Sequence, residues 1–228
     1  MFFDPNYIFF VMLPTLALSL FAQWRVKSAY NKWSRVPNQR GIDSVETARI
    51  IMQHVGLEHV EIDRVRGQLT DHYDPRDKSI HLSDSTVGHP SVAAMAITAH
   101  ELGHAEQDKV GNAMLNLRAS LVPAANLGSN LGIWVVFGGL MLNLPSLAWV
   151  GVLLFGAAVA FTLVTLPVEF DASRRAKRYL RDTGLVTAQE HKGVDAVLDA
   201  AALTYVAAAA SSLLTLLYYV SLISGRSD

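Results

Sequence analysis

Leu147 to Leu166 contains no charged side chain, and a run of about 20 such residues is long enough to cross a bilayer as a helix. Lipid offers no partner to backbone N–H and C=O groups, so a chain holding such a run is committed to helices there. Three further apolar runs lie at Tyr7 to Ala22, about Leu121 to Leu144, and about Ala201 to Ile223. With 51% hydrophobic residues and its charges grouped between the runs, the chain is too apolar for an ordinary soluble domain. The first run is followed by Trp24, Arg25, Lys27, Lys32, Arg35 and Arg40, and only Asp4 precedes it. That order reads as a signal anchor rather than a cleaved signal peptide. The second run carries Asn126, Ser129 and Asn130 in its first half, which is expected to stand within protein rather than lipid. Asn143-Leu144-Pro145-Ser146 is a turn, making the second and third runs a transmembrane hairpin. Tyr218 and Tyr219 suit an interface, and the small residues from Ala207 to Ser212 suit close helix packing. Gly128-x-x-x-Gly132 is assigned to packing within this bundle rather than to an oligomer, whose state the sequence leaves open.

The expected fold is a mainly α membrane protein with four transmembrane helices and one small α+β domain. An anchor at 1–23, a hairpin at 121–167 and a final helix at 201–228 leave 24–120 and 168–200 to form that domain together. An even number of crossings in the hairpin returns the chain to the side it left. Of 19 basic residues, all but Arg226 lie in those two extramembrane segments, which places the domain on the cytoplasmic face.

Within the domain, His100-Glu101-Leu102-Gly103-His104 carries the chemistry. The i, i+4 spacing puts both imidazoles on one face of a helix, where two nitrogens can share one Zn²⁺. Glu101 stands beside the open position of such a metal and can take a proton from water. Residues 92 to 99 enter the motif without Gly or Pro, so a helix is predicted. A polar helix face with two incidental histidines is the alternative, and it leaves Glu101 as an acid without a task.

A catalytic zinc requires a third protein ligand. The chain has no cysteine, which excludes thiolate ligands and disulfides. Gln107 and Val110 occupy the places where a metzincin would need Gly and His. Glu106 lies about 200° around the helix from His104. Glu190 closes Thr187-Ala188-Gln189-Glu190, a capping box. Glu169 is left, just after Pro167 at the head of a polar helix, where an acid favoured by the helix dipole is the competing role.

Asp43-x-x-Glu46 is a second capping box, opening a helix that Gly56 ends. Val60 to Val65 reads as a strand, and Gln68 to Tyr73 with Ser79 to Ser83 as a hairpin around Asp74-Pro75-Arg76-Asp77-Lys78. A free edge of this sheet could hold an extended polypeptide substrate. The near-neutral net charge of −1 gives no reason to expect nucleic acid, and the cluster Arg174, Arg175, Lys177, Arg178 and Arg181 beside a span suits the anionic surface of a lipid bilayer. Candidates for an oxyanion donor are His72, Tyr73 and His191, each of which could equally be a structural hydrogen-bonding residue.

Thr70-Asp71-His72-Tyr73-Asp74-Pro75-Arg76, Ile80-His81-Leu82-Ser83, Ala99 to Gln107 and Glu169-Phe170-Asp171-Ala172-Ser173 resemble blocks of the bacterial membrane-bound neutral zinc metallopeptidases. The resemblance covers nearly the whole chain. It implies a gluzincin fold, one Zn²⁺ held by His100, His104 and Glu169, Glu101 as catalytic base, and a multi-pass protein of the bacterial plasma (inner) membrane. It also implies work in membrane protein quality control. That family is similar in turn to the CAAX prenyl endopeptidases and the heat-shock membrane protease, where an aspartate commonly follows the ligand glutamate by four residues. Ser173 holds that place here and Asp171 is only two residues on, so both are candidates to orient a zinc histidine. Two other readings compete. A site-2-type intramembrane protease would need an N-x-x-P-x-x-x-x-D-G segment, which is absent, and Glu106, Gln107, Asp108 and Lys109 follow the motif too closely for a buried span. A non-catalytic zinc-binding membrane scaffold would have no use for the intact Glu101.

Overall fold

A computed structural model describes residues 5–225 and resolves the chain into two compact units. Residues 1–4 and 226–228, and with them the expectations that rest on Asp4 and Arg226, lie outside the described residues. In chain order the elements are α1 (Pro5–Trp33), α2 (Ser44–Val55), β1 (Glu61–Val65), β2 (His72–Asp74), β3 (Ser79–Ser83), α3 (Val92–Lys109), α4 (Ala113–Met141), α5 (Pro145–Asp182) and α6 (Ala188–Ser224). Among the described residues, α1, α4, α5 and α6 are the four helices long and apolar enough to span a membrane.

One unit holds Gln23–Asn112 and Val168–Leu203. Its local structure follows the residues that punctuate it. Asp43 caps α2 by accepting from the Glu46 N–H at 2.9 Å, and Gly56 ends it at φ +69°, a left-handed backbone that a side chain would strain. Strand order is β1-β3-β2, with β1 parallel and β2 antiparallel to β3. The buried central strand is therefore β3, and β1 and β2 are the edges. The predicted hairpin strand from Gln68 starts only at His72, because Gly67 and Leu69 take positive φ values of +116° and +57° and spend those residues on a turn. Ile80 and Leu82 of β3 join Ile51 and Met52 of α2, Met95, Ala99 and Leu102 of α3, and Tyr179, Leu180 and Leu198 in one apolar core. Thr187 and Glu190 form the expected capping box at the head of α6, and Glu190 also accepts from the Gln39 N–H at 2.7 Å.

The other described unit contains the residues up to Ala22, Ala113–Pro167, and the chain from Thr204 onward. Its core is Val136, Ala148, Val152, Phe155, Val159, Tyr219 and Ile223. Gly128 and Gly132 lie against Leu154 and Phe155 of α5, so the G-x-x-x-G face is spent inside the unit. Asn126, Ser129 and Asn130 are exposed rather than enclosed by protein, contrary to the sequence expectation. The reason is angular: both asparagines lie two positions, or about 200°, from the glycine face that packs.

Two helices are longer than the sequence segments predicted for them. Glu169 does not head a new helix at Pro167; α5 passes through that proline without a break. A proline in a helix forfeits one hydrogen bond at about 3 kcal/mol. The long apolar run before Pro167 and the buried Val168, Ala172 and Ala176 after it outweigh that cost. In the same way α6 joins the polar residues after Thr187 to the last apolar run.

Candidate metal centre

The ligand candidates come from α3 and α5, two helices whose backbones meet at Gly103. A Cβ there would lie 2.6 Å from the Ala172 carbonyl oxygen, closer than real side chains come, so only glycine allows this approach. The approach places Glu169 beside both histidines. Its Oε2 lies 3.3 Å from His100 Nε2 and 3.6 Å from His104 Nε2, and the ligand atoms of all three residues fall within 4.8 Å of one another. Tetrahedral zinc with bonds near 2.0–2.1 Å requires ligand atoms about 3.3 Å apart. The set is therefore a little open but of the right size and chemistry. The two imidazole rings stand edge to face at 86°, each directing its Nε2 toward the carboxylate.

Burial sets the electrostatics. Glu101 and Glu169 are 7% and 2% exposed, so neither carboxyl is well hydrated. For Glu101 burial dominates and pushes the carboxyl above its ordinary range, against the pull of His100 and His104. For Glu169 burial also pushes upward, but the neighbouring His100 and His104 imidazoles outweigh it and hold the group well below the usual carboxylate range. The His104 imidazole, which burial alone would lower, is held above its ordinary value by Glu169. Two acids thus face one pair of histidines with opposite proton affinities. Glu169 favours its ionised form, the form a metal ligand takes, while burial favours the protonated form of Glu101.

Each histidine is held from behind. Ser173 Oγ lies 3.2 Å from His100 Nδ1, and Gln107 Oε1 lies 3.0 Å from His104 Nδ1. Asp171 touches neither ring. It accepts from Gln107, Arg174 and Arg175 instead. Glu106 points away from the ligands and is paired with Arg175, Arg178 and Tyr179. Gln107 is the residue that sequence reasoning missed, although the rotation that dismissed Glu106 puts a residue three positions after His104 only about 60° from it.

Two of the candidate oxyanion donors, His72 and Tyr73, have described side-chain contacts away from the three ligand candidates. His72 is exposed and stacks on His81 with ring centroids 4.6 Å apart. Tyr73 donates to Asp108 at 2.6 Å, and His191 lies one residue past the capping Glu190. The described contacts of all three lie outside the His100, His104 and Glu169 cluster.

A family model described as "Putative neutral zinc metallopeptidase" matches residues 8–224. The chain is 42% identical over 220 residues to the "Putative membrane protease YugP" of Bacillus subtilis (strain 168), covering 96% of this chain and 98% of that relative. No solved structure matches it.

Proposed function

From the premise that this chain belongs to the neutral zinc metallopeptidase family, we propose that it is an integral-membrane zinc-dependent endopeptidase. The observation that carries this reading is the convergence of His100 Nε2, His104 Nε2 and Glu169 Oε2 beside the buried Glu101. A zinc held by those three atoms would supply the Lewis acid that polarises a peptide carbonyl and acidifies a water. The chain's own groups do the rest. Glu101, with its proton affinity raised by burial, takes the proton of the attacking water and returns it to the departing amine. Glu169 keeps its negative charge throughout and balances the positive site. Ser173 and Gln107 hold the imidazoles in place.

The substrate is an unfolded or extended polypeptide, laid along a sheet edge by backbone hydrogen bonds. The peptidase unit faces the cytoplasm at the plasma membrane. This rests on the basic residues in 24–120 and 168–200. Turnover of misfolded membrane proteins is the proposed task, and unchanged turnover in a deletion strain would remove it.

The direct experiment measures zinc content and cleavage of an unfolded polypeptide by detergent-purified protein. Wild type is expected to hold one zinc and to cleave. Glu101→Gln should hold zinc and lose at least about 10²–10⁴-fold in rate, the usual worth of general acid–base catalysis. Glu169→Ala should lose the metal. Full activity in Glu101→Gln would remove the assigned base, and full zinc in Glu169→Ala the assigned ligand.

A further inference from the structure

We propose that Gln107 is a positioning residue that fixes the tautomer of His104 and so presents its Nε2 lone pair to the metal, a role that rests on the zinc reading above. Gln107 is fully buried on α3, three residues after His104. Its Oε1 faces His104 Nδ1 at 3.0 Å, while its Nε2 donates to the Val168 carbonyl at 2.8 Å and to Asp171 Oδ2 at 3.0 Å. The orientation of a side-chain amide is settled by its partners. Here both partners of Nε2 are oxygens that can only accept. Turning the amide over would set Oε1 against a carbonyl and a carboxylate at once, with no proton between them. The oxygen therefore faces the imidazole. An oxygen without a proton leaves Nδ1 only one role, which is to donate. The proton of neutral His104 is then on Nδ1, and Nε2, the atom nearest Glu169, is left with its lone pair free for a metal.

Asp171 acts through Gln107 and is itself held. Arg174 donates to it at 2.6 Å and Arg175 at 2.7 Å, and Arg175 also reaches Glu106, which accepts from Tyr179. The clamp on His104 is thus the inner end of a polar network between α3 and α5. Among the described residues His100 has no equivalent. Its partner Ser173 Oγ is a hydroxyl, which donates or accepts and so tolerates either tautomer.

The test is zinc affinity by chelator competition on the full-length protein in detergent, with the melting temperature of the zinc-free form recorded for each variant. Gln107→Leu removes both halves of the amide at similar volume and should weaken zinc by about 10–100-fold, the range for lost outer contacts of a metal histidine. Asp171→Leu should weaken it less on its own and add nothing in the Gln107→Leu background, because its effect passes through the amide. Asp171→Asn keeps an acceptor for Gln107 and should stay within about threefold of wild type. Ser173→Ala acts on the other histidine, so its effect should add to that of Gln107→Leu. Gln107→Met carries the same comparison if leucine lowers the zinc-free melting temperature. Wild-type affinity in Gln107→Leu or Gln107→Met, or full additivity with Asp171→Leu, would overturn the proposal. Wild-type zinc affinity in His104→Ala would instead remove the zinc reading beneath it.

Discussion

Glycine brings another helix onto α5 in each unit, through Gly103 in one and through Gly128, Gly132 and Gly139 in the other, and the two contacts do different work. In the Gln23–Asn112 and Val168–Leu203 unit, Gly103 of α3 meets Ala172, and the residues around the contact are polar: two histidines, two glutamates, Gln107, Asp171 and Ser173. In the Ala113–Pro167 unit, Gly128 of α4 meets Leu154, and the contact continues through Gly132, Phe155, Val136 and Ala148. Close approach in the first case assembles charges that could not be assembled at ordinary helix spacing. In the second it supplies only dispersion contact, the main force between helices in lipid. The same backbone device serves chemistry in one place and cohesion in the other.

The largest test of that contrast is Gly103→Val. A branched side chain against the Ala172 backbone forces α3 away from α5, so zinc content and hydrolysis should both be lost, with Gly103→Ala costing about 1–3 kcal/mol of stability as overpacking does. Metal analysis and melting of each variant measure this, and normal zinc in Gly103→Val would show that the ligands do not depend on the close contact. Gly128→Leu should be the converse. It is expected to lower the melting temperature of the detergent-solubilised protein while zinc affinity stays within about twofold, since cohesion there carries no ligand. A smaller effect concerns acid. Burial raises Asp108, but bonds from Lys78 and Tyr73 outweigh it and hold the carboxyl below its ordinary value. A depressed value in the folded state adds stability above the unfolded value of about 3.9, and that stability disappears as pH falls through the folded value. Asp108→Asn should therefore melt lower than wild type near neutral pH, with the gap closing as pH falls below about 4. The smallest effect is expected from Thr162→Val, which removes a 3.0 Å bond to Ser212 in the apolar unit. Such bonds average about 0.6 kcal/mol between membrane helices, so a large loss of stability would mean that polar contacts matter there more than the comparison allows.

The sequence announced some of this plainly and concealed the rest for physical reasons. Apolar runs and caps are local signals, so the spans, the Asp43 cap and the Thr187 capping box were all legible. Helix continuity was not. The change from apolar to charged residues near Pro167 marks where the surroundings of α5 change, and the backbone continues through it regardless. Polarity along α4 is a poor guide, because two asparagines suggest an interior while Gly128 and Gly132 decide which side packs. For the centre, i, i+4 spacing made the histidine pair visible, and elimination led to Glu169. The partners of the rings needed the packing of α3 on α5, which no local pattern encodes. Gln107 alone could have been reached by rotation about the helix.

His100 and Glu169 stand 69 positions apart in the chain. A metal shared between them would therefore also be a fastener that closes a long loop, and the entropy of closing such a loop would be set against metal binding rather than against the apolar core alone. Stability of this unit would then rise with the logarithm of free zinc. Under metal starvation the protein would become easier prey for proteases well before its own site was empty throughout the population, so its abundance in the membrane would track the metal supply.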